Sequence, residues 1–164
     1  SELSLIGPPQ LQAYISDCFQ HTGITNKQDL NWVNISENHD VILQDGIEIT
    51  ALEMEHKIPC WGYALNDSTK KLVFMTDTRP NSNSVKLAKN ADVLIHEATY
   101  LHLNRDKAYE HFHTTQLQAM EIADKAEVKR LILTHFSQRL KDSDVVEWSW
   151  RGNSCIVFDD RQDI

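Results

Sequence analysis

Several apolar runs in this chain end in residues that bind cations or move protons. Val73-Phe-Met-Thr76 leads into Asp77 and then breaks at Pro80; Val93-Leu-Ile95 leads into His96-Glu97; Arg130-Leu-Ile-Leu-Thr134 leads into His135. A further run reaches His56 just before Lys57-Ile-Pro59. An apolar run of this length reads as a buried strand, and its terminal polar residue is then delivered to the sheet edge where a loop begins, the edge at which open α/β sheets hold their ligands. Imidazole nitrogens and carboxylate oxygens are zinc donors, and one carboxylate can bridge a pair of ions. A lone His or Asp at a strand end is more often a hydrogen-bonded structural residue. His56, Asp77 and His135 together, each at a strand end, point instead to one metal-binding edge.

Other groups carry proton chemistry. Neighbouring residues of a strand face opposite ways, so His96 and Glu97 share the site only if the strand has already ended. Glu97 could orient a neighbour while His96 packs, or the pair could be purely structural, since a metal-bound histidine needs a carboxylate or carbonyl behind it. His111-Phe-His113-Thr-Thr115 stands immediately before a predicted helix, where free backbone N–H groups favour anions. His113 there could give a proton to a leaving oxygen, or simply cap the helix.

The elements that position these residues follow from patterning. Residues 1–7 read as a short strand, and Pro8-Pro9 opens a helix whose apolar positions Leu11, Tyr14, Ile15, Cys18 and Phe19 recur at helical spacing before Gly23. Leu30–Ile35 alternates as a strand. Asp45-Gly46 is a hairpin turn between Val41-Ile-Leu and a strand running from Ile47 to His56. Gly62–Leu65 and Lys71–Met75 are strands around Asn66-Asp-Ser. Ser82 or Asn83 caps a short helix through Ala88, and a strand over Ala91–Ile95 follows. Residues 99–112 are expected to be a loop with a helical turn. Thr115-x-x-Gln118 fits a capping box ahead of a helix with the stripe Leu117, Met120, Ala123, Ala126. Leu131–Leu133 and Ser154–Phe158 are the last strands, and Asp159–Asp163 is expected to fray.

The totals set limits. With 164 residues the chain can hold one domain with a real core. A net charge of −8 argues against a generally basic nucleic-acid surface, though a local patch or a metal could still hold phosphate. No apolar run has membrane-spanning length, so no membrane is expected. The three cysteines, odd in number and scattered, suggest reduced thiols in a cytoplasmic protein. Strands dominate the first half and strand–helix alternation the second, which gives an α/β class with a mixed sheet faced by helices.

Taken in order, Gly7-Pro-Pro9, His56-Lys-Ile-Pro59 with Gly62-Tyr63, Asp77-Thr-Arg-Pro80, Leu94-Ile-His-Glu-Ala-Thr99, His113-Thr-Thr115 and Leu131-Ile-Leu-Thr-His-Phe-Ser-Gln-Arg139 resemble the C-terminal half of the ribonuclease Z family. That family has the metallo-β-lactamase fold, an αββα sandwich, and removes the 3′ trailer from precursor transfer RNA. The resemblance implies that 1–164 is a single domain forming mainly the C-terminal part of that fold. It implies a pair of zinc ions, with manganese or another divalent metal as a substitute. His56 would bind one ion, Asp77 would bridge both and His135 would bind the other. His113 would be the catalytic histidine of a His-Ser-Thr motif written here His-Thr-Thr, and Glu97 would position it. Arg79 and Arg139 would contact phosphate or form surface ion pairs. A homodimer is implied, with the first helix near its interface.

There are departures from the pattern. The family's His-x-His-x-Asp-His motif has no counterpart here and would lie N-terminal to Ser1, so the chain is expected to be a second-half piece, a subunit or a degenerate relative. Between Tyr63 and Asp77 stands a short segment where many members insert the arm that grips transfer RNA. Besides precursor transfer RNA, a small phosphodiester such as a cyclic nucleotide therefore fits as substrate. A rival reading is an inactive half-domain that binds without cutting. Thioester or lactam hydrolysis fits the His-Glu-Ala-Thr and His-Thr-Thr motifs poorly.

Overall fold

The computed structural model describes residues 3–23, 30–35, 40–140, 149–150, 153–154 and 156–157. They fall into two compact units, Ser1–Asp40 and Val41–Ile164. In the first, strand β1 (Leu3–Gly7) pairs in parallel with β2 (Leu30–Asn34), and helix α1 (Pro9–Thr22) connects them. Pro9 occupies the first turn of α1, and Gly23 closes it in the left-handed conformation at φ 66°, as helix ends favour.

The second unit is built on a seven-stranded mixed sheet in the order β11-β8-β7-β6-β5-β4-β3. Its strands are β3 (Asp40–Gln44), β4 (Ile47–Glu53), β5 (Trp61–Asn66), β6 (Lys71–Met75), β7 (Val93–Glu97), β8 (Leu131–Thr134) and, at the edge, β11 (Ile156–Val157). A separate antiparallel pair joins β9 (Ser149–Trp150) to β10 (Asn153–Ser154). Asp45 and Gly46 both take positive φ, 51° and 81°, the geometry of the tight turns that join antiparallel strands. β4, β5 and β6 run antiparallel, whereas β6, β7, β8 and β11 run parallel. Two reversals leave β4 pointing the same way as β6. The carboxyl ends of β4, β6, β7 and β8 therefore lie along one edge; Glu97 ends β7, His135 follows β8 directly and Asp77 stands two residues past β6, whereas β4 stops at Glu53, short of the expected His56, which stands in a bend three residues on.

The parallel strands are joined through helices α2 (Ser82–Ala88) and α4 (Gln116–Lys125). Successive crossovers of the same hand, advancing across the sheet in one direction, put both helices on one face. Leu87, Ala88, Ala119, Ile122 and Ala123 from these helices pack on Leu52, Ala64, Val73, Met75, Leu94, Leu131 and Leu133 from the strands. At Gly62 a Cβ would stand 2.8 Å from the Met75 sulfur and 2.9 Å from Leu87 Cδ2, so glycine is what lets α2 approach β5.

Some expectations shift. Asn81, not Ser82 or Asn83, caps α2, its side chain accepting from Ser84 N–H at 3.0 Å. The buried stripe of α4 is Ala119, Ile122 and Ala123, continued by Ala126 at its C-cap, while Leu117 is exposed; the capping box on Thr115 and Gln118 forms. β7 begins at Val93, because Ala91 and Asp92 are spent in the turn, where Asp92 N–H donates to Lys71 O. Residues 99–112 hold a 3-10 turn, His102–Asn104, and a full helix, α3 (Arg105–Glu110). Asp159–Asp163 lies outside the described residues. Among the described residues no helix is long and apolar enough to cross a membrane.

Candidate metal centre

The edge is assembled by loops knitted to each other before any ligand is considered. Thr78 Oγ1 accepts from Glu55 N–H at 3.1 Å and donates to Arg79 O at 2.8 Å, and Arg79 N–H donates to Glu55 O at 3.0 Å. This fixes the segment after β4 against the segment after β6, and so His56 against Asp77. Thr114 Oγ1 donates to the Thr78 carbonyl at 2.6 Å, which brings the loop carrying His113 onto the same segment.

Asp77 stands at the centre. His56 Nε2 lies 3.9 Å from Asp77 Oδ2, and His135 Nε2 lies 3.3 Å from Asp77 Oδ1. One imidazole thus faces each carboxylate oxygen. His56 donates its Nδ1–H to the Phe112 carbonyl at 3.1 Å, which leaves Nε2 as a lone pair aimed at Asp77; a backbone carbonyl behind the ring is the usual way to fix a ligand's tautomer. Ligand atoms of His56, Asp77 and His113 all lie within 4.8 Å of one another. The His113 ring centroid is 5.2 Å from that of His56 and 5.6 Å from that of His135. A carboxylate flanked by imidazoles, with nitrogen and oxygen donors gathered this closely, is a donor set that fits a divalent cation.

Behind this cluster is Glu97, 1% exposed. Its carboxylate accepts from Thr78 N–H at 3.0 Å and His113 Nδ1–H at 2.8 Å on one oxygen, and from Thr99 N–H at 3.1 Å and Thr99 Oγ1–H at 2.7 Å on the other. Burial pushes the Glu97 carboxyl up, but the hydrogen bond and charge of His113, with Thr78 and Thr99, outweigh it and hold the group below the usual carboxylate range. Burial likewise pulls His113 down, yet the Glu97 hydrogen bond and charge, with Asp77 adding, raise it above an ordinary imidazole. With Nδ1 committed to Glu97, the reactive nitrogen of His113 is Nε2. His96 faces the other way: it is fully buried among the core residues, donates Nδ1–H to the Glu97 carbonyl at 2.7 Å, and its Nε2 has no partner among the described residues. Desolvation pushes its pKa down, so it is a neutral core residue.

The two arginines differ. Arg79 Nε bonds Glu55 at 2.6 Å, and its guanidinium carbon stands 4.5 Å from the ring centroids of both Tyr109 and Phe112. Arg139 lines a cavity with Tyr100 and Lys107. Sequence reasoning missed Phe112, Thr78 and Thr114. Phe112 acts through its carbonyl, which leaves no side-chain signature. The threonines do carry a sequence signal, since Thr78 stands in Asp77-Thr-Arg-Pro80 and Thr114 in His113-Thr-Thr115.

This geometry can be set beside known proteins. The Beta-lactamase superfamily domain profile matches residues 1–136. The chain belongs to the metallo-β-lactamase superfamily. It is 27% identical to ribonuclease BN of Proteus mirabilis (strain HI4320) over 88% of this chain and 64% of that protein. It is 25% identical to ribonuclease Z of Limosilactobacillus reuteri (strain DSM 20016) over 84% of this chain and 60% of that protein. The crystal structure of human tRNase Z, short form, superposes with a TM-score of 0.75 at 27% identity, covering 84% of this chain and 62% of that one. The chain therefore spans somewhat under two thirds of the length of these relatives.

Proposed function

We propose that this metallo-β-lactamase-fold chain carries the catalytic edge of a zinc-dependent phosphodiesterase that cuts the 3′ trailer from precursor transfer RNA. The observation that supports this most is the pair of imidazoles on the two oxygens of Asp77, with His113 alongside and backed by a buried carboxylate. His56, Asp77 and His135 would hold the cations, which when bound supply positive charge to the phosphate and acidify a water. Glu97 orients the His113 ring and, by raising its pKa, keeps Nε2 protonated further up the pH scale, as a donor to a leaving oxygen requires. The relatives named ribonuclease Z and the human tRNase Z support transfer RNA as substrate. The same reading includes a cytoplasmic setting and a homodimer, the latter checked by sedimentation of the purified chain.

The test measures metal content and hydrolysis of bis-p-nitrophenyl phosphate side by side. Wild type should bind divalent metal and turn the ester over, and Asp77→Ala should lose both. Undiminished turnover by Asp77→Ala would remove the bridging role. A wild type with neither metal nor turnover would favour a binding module that does not cut.

A further inference from the structure

Next to His113 the chain leaves open space. A cavity of about 590 Å³ is lined by Tyr100, Lys107, His111, Ser137, Gln138 and Arg139. A smaller hollow of 160 Å³ shares Tyr100, Lys107, Ser137 and Arg139 and reaches Thr99, the residue that donates to Glu97. The space thus lies beside the candidate metal centre, and Tyr100, which lines both hollows, is in ring contact with His113. Tyr100 has its centroid 6.1 Å from that of His113 on one side and 6.2 Å from that of His111 on the other.

The lining is unusual for this molecule. Net charge is −8, yet Lys107 and Arg139 meet here, and among the described residues neither is ion-paired to a carboxylate. A hydroxyl and an amide, Ser137 and Gln138, add hydrogen-bonding capacity. Cations, neutral donors and two rings side by side are what a phosphate with an attached base needs: charge for the phosphate oxygens, flat surfaces for the base. One carboxylate, Glu110, also lines the cavity, and its charge opposes an anion there. Arg79 cannot play this part, because Glu55 and two aromatic rings already occupy its guanidinium.

We propose that this cavity is a second phosphate site, which takes the nucleotide adjoining the bond to be cut in an extended single-stranded nucleic acid. Lys107 and Arg139 hold its phosphate, and Tyr100 and His111 lie against its base. The proposal rests on the phosphodiesterase reading for the position of the cut bond, and it deepens that reading: a substrate of several linked nucleotides fills both sites, whereas a cyclic mononucleotide fills only one.

Binding can be followed by fluorescence anisotropy of a fluorescein-labelled RNA hexanucleotide, with adenosine 5′-monophosphate as competitor. Wild type should bind the hexanucleotide well ahead of the mononucleotide. Lys107→Ala and Arg139→Ala should each weaken the hexanucleotide about five- to tenfold and lower the slope of log affinity against log salt by roughly 0.7, the loss of one phosphate contact on a single strand. Glu110→Gln should tighten it. All three side chains are exposed, so the fold is not at stake. Equal binding of the hexanucleotide by wild type and by the double variant that combines Lys107→Ala with Arg139→Ala, or an unchanged salt slope, would overturn the proposal. Turnover of bis-p-nitrophenyl phosphate by wild type tests the other reading separately. If turnover is absent but the double variant still loses hexanucleotide binding, the cavity stands and the phosphodiesterase reading falls.

Discussion

At the residue scale, the short motif His113-Thr114-Thr115 divides three tasks among three neighbours. The His113 ring is held on Glu97, Thr114 Oγ1 secures the Thr78 carbonyl, and Thr115 caps α4. The Glu97–His113 pair gives a prediction for the metal-free chain. His113 is raised, so its contribution to stability is full below the ordinary imidazole value of about 6.5 and is lost as pH rises through the higher folded value. Glu97 is lowered, so its contribution is full above the ordinary value of about 4.3 and is lost as pH falls through the lower folded value. Both are at full strength between roughly pH 4.3 and 6.5. Glu97→Gln should remove this plateau from urea-unfolding curves and drop the His113 pKa in a proton NMR titration. A His113 pKa that stays raised in Glu97→Gln would show that some other group holds the proton.

At the scale of elements, α3 and its last turn connect the ligands. The turn ends with Phe112 at φ 61°, with Phe112 N–H donating to Tyr109 O at 3.2 Å and His113 N–H to Ala108 O at 2.8 Å. This left-handed helix ending normally takes glycine. Here it takes phenylalanine, whose ring is stacked by Arg79 and whose carbonyl orients His56. The backbone strain is tolerated because the ring is used. Phe112→Ala keeps the strain and loses the ring, whereas Phe112→Gly loses both. Glycine should therefore be the more stable of the two by about 1 kcal/mol in chemical denaturation. Equal stabilities would mean that the turn relaxes once the ring is gone. The opposite sheet edge carries its own clasp: Asp92 accepts from Lys129 Nζ at 2.8 Å and from Lys71 N–H at 2.9 Å. The Lys129 hydrogen bond, with that of Lys71 and the nearby lysine charges, holds its carboxyl at about 2, below its ordinary 3.8. That stability is present above pH 3.8 and fades as pH falls through about 2, so acid-unfolding curves of Asp92→Asn should lack this step.

For the molecule as a whole, what could be read beforehand depended on how locally it is encoded. The hairpin at Asp45-Gly46, the capping box at Thr115 and the strands before Asp77 and His135 are written in adjacent residues. The α3 helix is not, because its only buried residue is Ala108 and it offers no apolar stripe. Nor does sequence give the strand order that places four carboxyl ends on one edge. The strand runs themselves hold a further clue. Parallel strands that are apolar without interruption are built for burial on both faces. Within residues 41–164, α2 and α4 cover the face bearing Val73, Met75, Leu94 and Leu133. On the other face, strand register aligns Ala51, Tyr63, Phe74, Ile95 and Ile132 in one row across five strands. In that face Phe74 is 42% exposed and Leu72 38%. Apolar surface of this kind, contiguous and half open, binds hydrophobic dyes. The chain should therefore bind 8-anilinonaphthalene-1-sulfonate in its native state, and Phe74→Ser should cut the fluorescence. Its melting temperature should hardly move, because a half-exposed side chain contributes little when truncated. If Phe74→Ser instead melts many degrees lower with dye binding unchanged, the row is internal core, and the continuous apolar runs are already satisfied on both faces.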